Sequence, residues 1–164
     1  MMRKFLILYI LYIAIAFFLV DYPPMRKILH LEEIYNTLIT DISAWFVSFL
    51  HIPVTASSNI LHLPHANMII KFGCNGLEAV LIYLAGVLAY EASWKMRIVW
   101  GIIGVVALEV INILRIALLA WTIEHYPKHF EIMHDYITQS IMIVLALLMF
   151  LFYIQRLERA KENL

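Results

Sequence analysis

The chain is poor in the residues that water-soluble chemistry is usually built from. It has one cysteine in 164 residues, which excludes an internal disulfide, a Cys-x-x-Cys redox pair and a multi-thiolate metal site within one chain. Charged residues make up only 15%, and twelve Lys plus Arg balance twelve Asp plus Glu, so net charge points to neither nucleic acid nor an acidic partner. There is no Gly-x-Ser-x-Gly element, no phosphate-binding loop, no low-complexity tract and no long soluble insert. What remains is apolar: 63% hydrophobic residues against roughly 45–50% in a soluble domain, a surplus that needs a lipid solvent.

Four apolar stretches approach the roughly 20 residues that cross a hydrocarbon core. They give spans at about 5–20, 74–90, 98–121 and 137–154, an all-α membrane bundle forming one domain over 1–164. Ala14-Ile15-Ala16 in the first stretch resembles a small-x-small cleavage site, so a removable signal peptide competes with a retained span. With the N-terminus inside, seven basic residues (Arg3, Lys4, Lys95, Arg97, Arg156, Arg159 and Lys161) are cytoplasmic, and four (Arg26, Lys27, Lys71 and Lys128) are outside. The bias places both termini in the cytoplasm of a multi-pass protein of the inner membrane.

The outer segment, 21–73, carries apolar residues at helical spacing (Ile34, Tyr35, Leu38, Ile42, Trp45, Phe46 and Phe49) among Asn36, Thr40 and Asp41. This predicts an amphipathic helix, lying on the outer membrane face or packed on the spans. Residues 59–63 and 67–72 flank a Pro-His-Ala turn and could form a small hairpin leading into Gly73-Cys74.

Three residues from three spans converge on the outer side. Cys74 lies in Gly73-Cys74-Asn75-Gly76-Leu77-Glu78, where a helix N-terminus would favour the thiolate; a buried filler role stands beside that of nucleophile. Arg115 sits about six residues inside its span, preceded at intervals of three by Asn112 and Glu109. A guanidinium at that depth must face protein or water, serving catalysis or pairing with Glu109 or Glu78 to hold the bundle. His134 precedes the last span and could move a thiol proton. Its neighbour Asp135 is adjacent in sequence, and ordinary helical geometry would point the two side chains apart. His62, His65, His125 and His129 are on the same side, but no His-Glu-x-x-His or other zinc spacing is present, and no metal or other cofactor is assigned.

Gly73-Cys74-Asn75-Gly76-Leu77, Asn112-Ile113-Leu114-Arg115 and His134-Asp135, in that order, resemble the motifs of the exosortase/archaeosortase family, most closely the short exosortase H subtype. The resemblance runs from about residue 59 to the end of the last span. It implies a membrane-embedded cysteine peptidase or transpeptidase. Its partners would be exported proteins with a C-terminal sorting signal made of a short motif, a transmembrane helix and a basic tail. Cys74 would be the nucleophile, His134 the general base and acid, and Arg115 the oxyanion stabiliser, with Asn75, Gly76, Glu78, Asn112 and Asp135 as supporting or substrate-contacting residues. Many relatives carry a glycine four residues after the histidine, where this chain has Thr138. Two rivals from other classes are a non-enzymatic membrane assembly or transport subunit, with Glu109, Asn112 and Arg115 as a structural network, and a His-ligated metallohydrolase.

Overall fold

The computed structural model describes residues 2–24 and 30–162. Arg26 and Lys27, counted above among the outer charges, lie outside the described residues. Helix α1 (Met2–Asp21) ends just before Pro23 and Pro24, whose rings lack the N–H that would continue it. Helix α2 (Leu31–Ser48) follows, then strands β1 (Thr55–Ser57), β2 (Ile60–His62) and β3 (Asn67–Ile69), and helices α3 (Leu77–Ala89), α4 (Trp94–His125) and α5 (Gln139–Glu162). A single 3-10 turn (Pro127–His129) and a π-helical turn (Ile132–Thr138) join α4 to α5.

Three helical segments are long and apolar enough to cross a membrane: Met2–Val20, Trp94–His125 and Ile132–Arg159. The expected second span is shorter than its sequence run. It was expected from residue 74, but the helix starts at Leu77, because Gly73 (φ +93°) and Gly76 (φ +82°) hold the left-handed conformation that interrupts a right-handed helix. Thirteen residues reach about 20 Å, short of the roughly 30 Å core. Irregular backbone is tolerated at such depth where protein covers it. Here α3 is the central helix, contacting α1, α4 and α5 and burying Val80, Tyr83 and Val87. Its close neighbours depend on small residues: a Cβ on Gly104 would fall 1.9 Å from the Tyr83 ring, and one on Gly86 would fall 2.9 Å from Phe150. These glycines therefore serve packing within the bundle.

Helix α4 begins earlier than expected, at Trp94, because the Ser93 side chain accepts from the Met96 amide. At 32 residues it is about 48 Å long and outreaches the hydrocarbon core. Its last turns form a second core with the outer segment: Ile116, Leu119 and Ala120 pack with Leu61, Met68 and Ile70 of the sheet region and with Ile39 and Val47 of α2. The expected hairpin is present as β2–β3, and β1, which the sequence pattern did not suggest, adds a third antiparallel strand.

The expected amphipathic helix is α2, packed on α4 in an inverted sense. Asn36, Thr40 and Ser43 are buried on its inner side with Ile39 and Val47, while Ile34, Leu38, Trp45 and Phe49 point outward. An apolar stripe turned away from the protein suits an acyl-chain surrounding, while on the inner side Thr40 Oγ1 donates to the Asn36 carbonyl at 2.6 Å and Asn36 Oδ1 accepts from Asn75. At the other end of the bundle, Phe5 of α1 stacks on Phe150, and Lys4 pairs with Glu91 at 3.0 Å. The start of α1 and the later turns of α5 thus share the end opposite Cys74.

Candidate active site

Cys74 is held by a turn in which its amide donates to the Lys71 carbonyl at 2.9 Å. The residue is 5% exposed and borders a cavity of about 350 Å³ lined also by Lys71, Phe72, Glu78, His134 and Gln139. Its thiol lies 3.8 Å from the Ile69 carbonyl and shares the cavity with the His134 ring, close enough for the two groups to interact electrostatically. Burial works against the thiolate, but the His134 ring, a backbone bond from Lys71 and the positive charges of His134 and Arg115 outweigh it, so the thiol titrates below its ordinary range. The thiolate should therefore persist to lower pH than for a free cysteine. Maleimide labelling of Cys74 followed against pH is expected to show a half-point below that of a model thiol, moving upward in His134→Ala; identical half-points would exclude thiol–imidazole coupling.

The imidazole is fixed on two sides. Asp135 Oδ1 lies 2.6 Å from His134 Nδ1, and Phe130 stacks on the ring with centroids 5.5 Å apart. The Asp135 contact corrects the expectation that adjacent residues would diverge. The segment is a π-helical turn, wider than an α-helix, and the angle between successive side chains is smaller there. With Nδ1 engaged by Asp135, Nε2 is the nitrogen left for the thiol.

Arg115 is 6% exposed. Among the described residues it forms no ion pair with Glu109 or Glu78, which sets aside simple charge pairing as its role. Its Nε donates to Thr138 Oγ1 at 2.9 Å, and that hydroxyl can donate onward to the His134 carbonyl at 3.3 Å. Its Nη2 is buried without a partner among the described residues. Cys74 and Glu78 act on it electrostatically. Glu78 itself accepts from Gln139 at 3.0 Å.

The remaining predicted residues form the scaffold beneath the cysteine. Asn112 Nδ2 donates to the Asn75 carbonyl at 2.7 Å; Asn75 Nδ2 donates to Asn36 Oδ1 at 2.7 Å, and Asn75 Oδ1 accepts from the Leu77 amide at 3.0 Å. Glu109 accepts from the Tyr35 hydroxyl and from Asn112. This chain ties α2, α4 and the turn before α3 into one unit. Gly76 belongs to it through space as well as conformation, since a Cβ there would lie 2.6 Å from the Asn112 side chain. Gly76→Ala is expected to cost about 2–4 kcal/mol, from the strained φ and the displaced Asn112 bond, read as a lowered unfolding midpoint in detergent.

All eight residues singled out from the sequence thus lie in or directly under one site. Four participants were missed: Asn36, Tyr35, Thr138 and Gln139. The spacing of Asn36, Thr40 and Ser43 on one helical face was the available signal for the first. The other histidines do not converge: His62 bonds Ser57 and Asn67, His65 bonds Glu124 at 2.5 Å, and His125 contacts the Trp121 carbonyl. Among the described residues no group of three His, Cys, Asp or Glu side chains is placed to hold a metal ion.

Helices of this length and composition, with a thiol and an imidazole lining one cavity at one end of the bundle, define a polytopic membrane protein with a candidate cysteine-centred site. The chain matches the family model described as transmembrane exosortase over residues 2–153, and it belongs to that family. No match was found among curated proteins or among solved structures.

Proposed function

We propose that this protein is a membrane-embedded cysteine peptidase or transpeptidase that cleaves the C-terminal sorting signal of exported proteins at the outer face of the cytoplasmic membrane, with both termini inside. The observation that carries this reading is that Cys74 and His134 line one cavity, with Asp135 held on Nδ1 of that histidine and the Arg115 charge close by. Family membership supports it, as does the basic-residue bias that puts the Cys74 end outward.

The chemistry follows from those groups. Cys74 Sγ attacks the scissile carbonyl carbon while the thiol proton passes to His134 Nε2. The carbonyl oxygen becomes an oxyanion facing Arg115, whose charge stabilises it in a low-dielectric site. The carbon–nitrogen bond then breaks, His134 returns the proton to the leaving amine, and a thioester to Cys74 remains. Water or an amine, deprotonated by His134, attacks that thioester and frees the thiol.

The test is capture of the intermediate in membranes containing a co-expressed reporter with a C-terminal sorting signal. A covalent adduct of the reporter to this protein, cleaved by hydroxylamine and lost in Cys74→Ala, is expected. Processing with no thioester adduct and with full activity in Cys74→Ala would overturn the reading.

A further inference from the structure

Arg115 is the feature that the chemistry above leaves incompletely satisfied. The residue is 94% buried, Thr138 takes Nε, and among the described residues Nη2 has no acceptor. Leaving a buried guanidinium nitrogen without a partner is costly, so an acceptor supplied from outside the chain is the natural complement. Arg115 also lines a groove of about 210 Å³ between α4 and α5, walled by Ile111, Leu114, Leu118, Ile141 and Met142. Leu114, Leu118 and Ile141 are exposed, so the groove opens sideways onto the surface that faces lipid rather than toward water.

Resting on the function proposed above, we infer that this α4–α5 groove is where the transmembrane segment of the substrate docks, so that the scissile carbonyl just beyond its outer end becomes the acceptor that Arg115 Nη2 lacks. From Ile111 to Leu118 the groove runs about 10 Å, roughly two turns of a guest helix. Its walls offer dispersion contacts, which drive helix association in lipid, and its polar residues, Arg115 and Thr138, lie toward its outer half, where a helix would give way to the cleavage motif. A lipid acyl chain fits the walls but offers nothing to the guanidinium. A peptide carbonyl fits both. Arg115 is near enough to Cys74 for their charges to interact, so a segment seated in the groove brings the scissile carbonyl between the guanidinium and the thiol. Two other apolar grooves, one walled by Leu84, Leu88 and Ile102 and the other by Phe5, Ala89 and Ile154, lie toward the opposite end. Neither is lined by Cys74, Arg115 or His134.

The experiment places a photo-crosslinking amino acid at Leu118 or Ile141, and at Ile102 as the comparison, in a Cys74→Ala background that prevents turnover. The probe is a reporter ending in a short motif, a transmembrane helix and a basic tail taken from an exported protein of the same cell. Adducts from positions 118 and 141 but not 102 are expected. In the active enzyme, Leu118→Trp should slow processing about tenfold at low reporter level and recover at saturating level, while Ile102→Trp should leave it unchanged. Equal adducts at 102, lipid adducts alone at 118, or a wild-type rate in Leu118→Trp would overturn the docking site. Those failures leave the thioester intact, whereas processing that survives Cys74→Ala would sink the peptidase reading itself.

Discussion

Cys74→Ala is expected to reduce sorting-signal processing by about 10³-fold or more, to the limit of detection, at unchanged abundance in the membrane. The substitution removes one sulfur from a site already 5% exposed, and both of the neighbouring glycines stay in place, so the bundle has little reason to unfold. Cys74→Ser is the sharper comparison. A hydroxyl nearly keeps the volume and stays beside His134 but titrates far above a thiol, so the imidazole and Arg115 charge that favour a thiolate leave it protonated. Serine is therefore expected to be nearly as inactive as alanine. His134→Ala should be milder, about 10²- to 10³-fold, because a thiol retains appreciable nucleophilicity without its base. Its residual rate should rise with pH as the thiolate forms unaided. Quantified cleavage of the reporter at several pH values, normalised to enzyme abundance, checks the series. Full activity in Cys74→Ala would leave the non-enzymatic and metal-dependent alternatives.

The parts of this site that the sequence announces are those whose cost is visible without a fold. An arginine inside an apolar run, a cysteine between two glycines and a histidine just before a span are anomalies by themselves, and topology alone carries them to one end. The helices were legible for the same reason, since hydropathy is a local property. What stayed hidden depends on distance along the chain. Asn36 reaches Asn75 across 39 residues, and Gln139 reaches Glu78 across 61. In sequence, Asn36 and Thr40 read as the wet face of an amphipathic helix; in the fold they are buried and Ile34, Leu38 and Trp45 face out. A lipid surrounding makes that inversion favourable, because outside the protein there is no water to reward a polar face. The shortness of α3 was also illegible from hydropathy, which does not register the positive φ angles at Gly73 and Gly76. Thr138, which departs from the glycine of many relatives, turned out to be the residue that holds Arg115.

That contact sets the second large expectation. Arg115→Gln keeps length and a donor but removes the charge, and is expected to slow processing about 10²- to 10³-fold, equivalent to roughly 3–4 kcal/mol of lost oxyanion stabilisation. Arg115→Lys should not restore it. The ammonium cannot place one nitrogen on Thr138 and another on the substrate in the fixed fork that guanidinium provides. Thr138→Val tests the support without touching the charge: it removes the Nε acceptor from a buried cation and leaves the shape nearly unchanged. A fall of about tenfold is expected, with Thr138→Ser close to wild type, because serine restores the acceptor and the bond to the His134 carbonyl. The discriminating readout is where the loss falls. An oxyanion role lowers the turnover rate at saturating reporter and leaves the pH dependence of Cys74 labelling nearly in place. A purely architectural role lowers abundance or unfolding midpoint together with activity. If Arg115→Gln fails to accumulate while Arg115→Lys processes at the wild-type rate, the guanidinium is a structural member of the α4–α5 contact and the oxyanion must be stabilised by another donor.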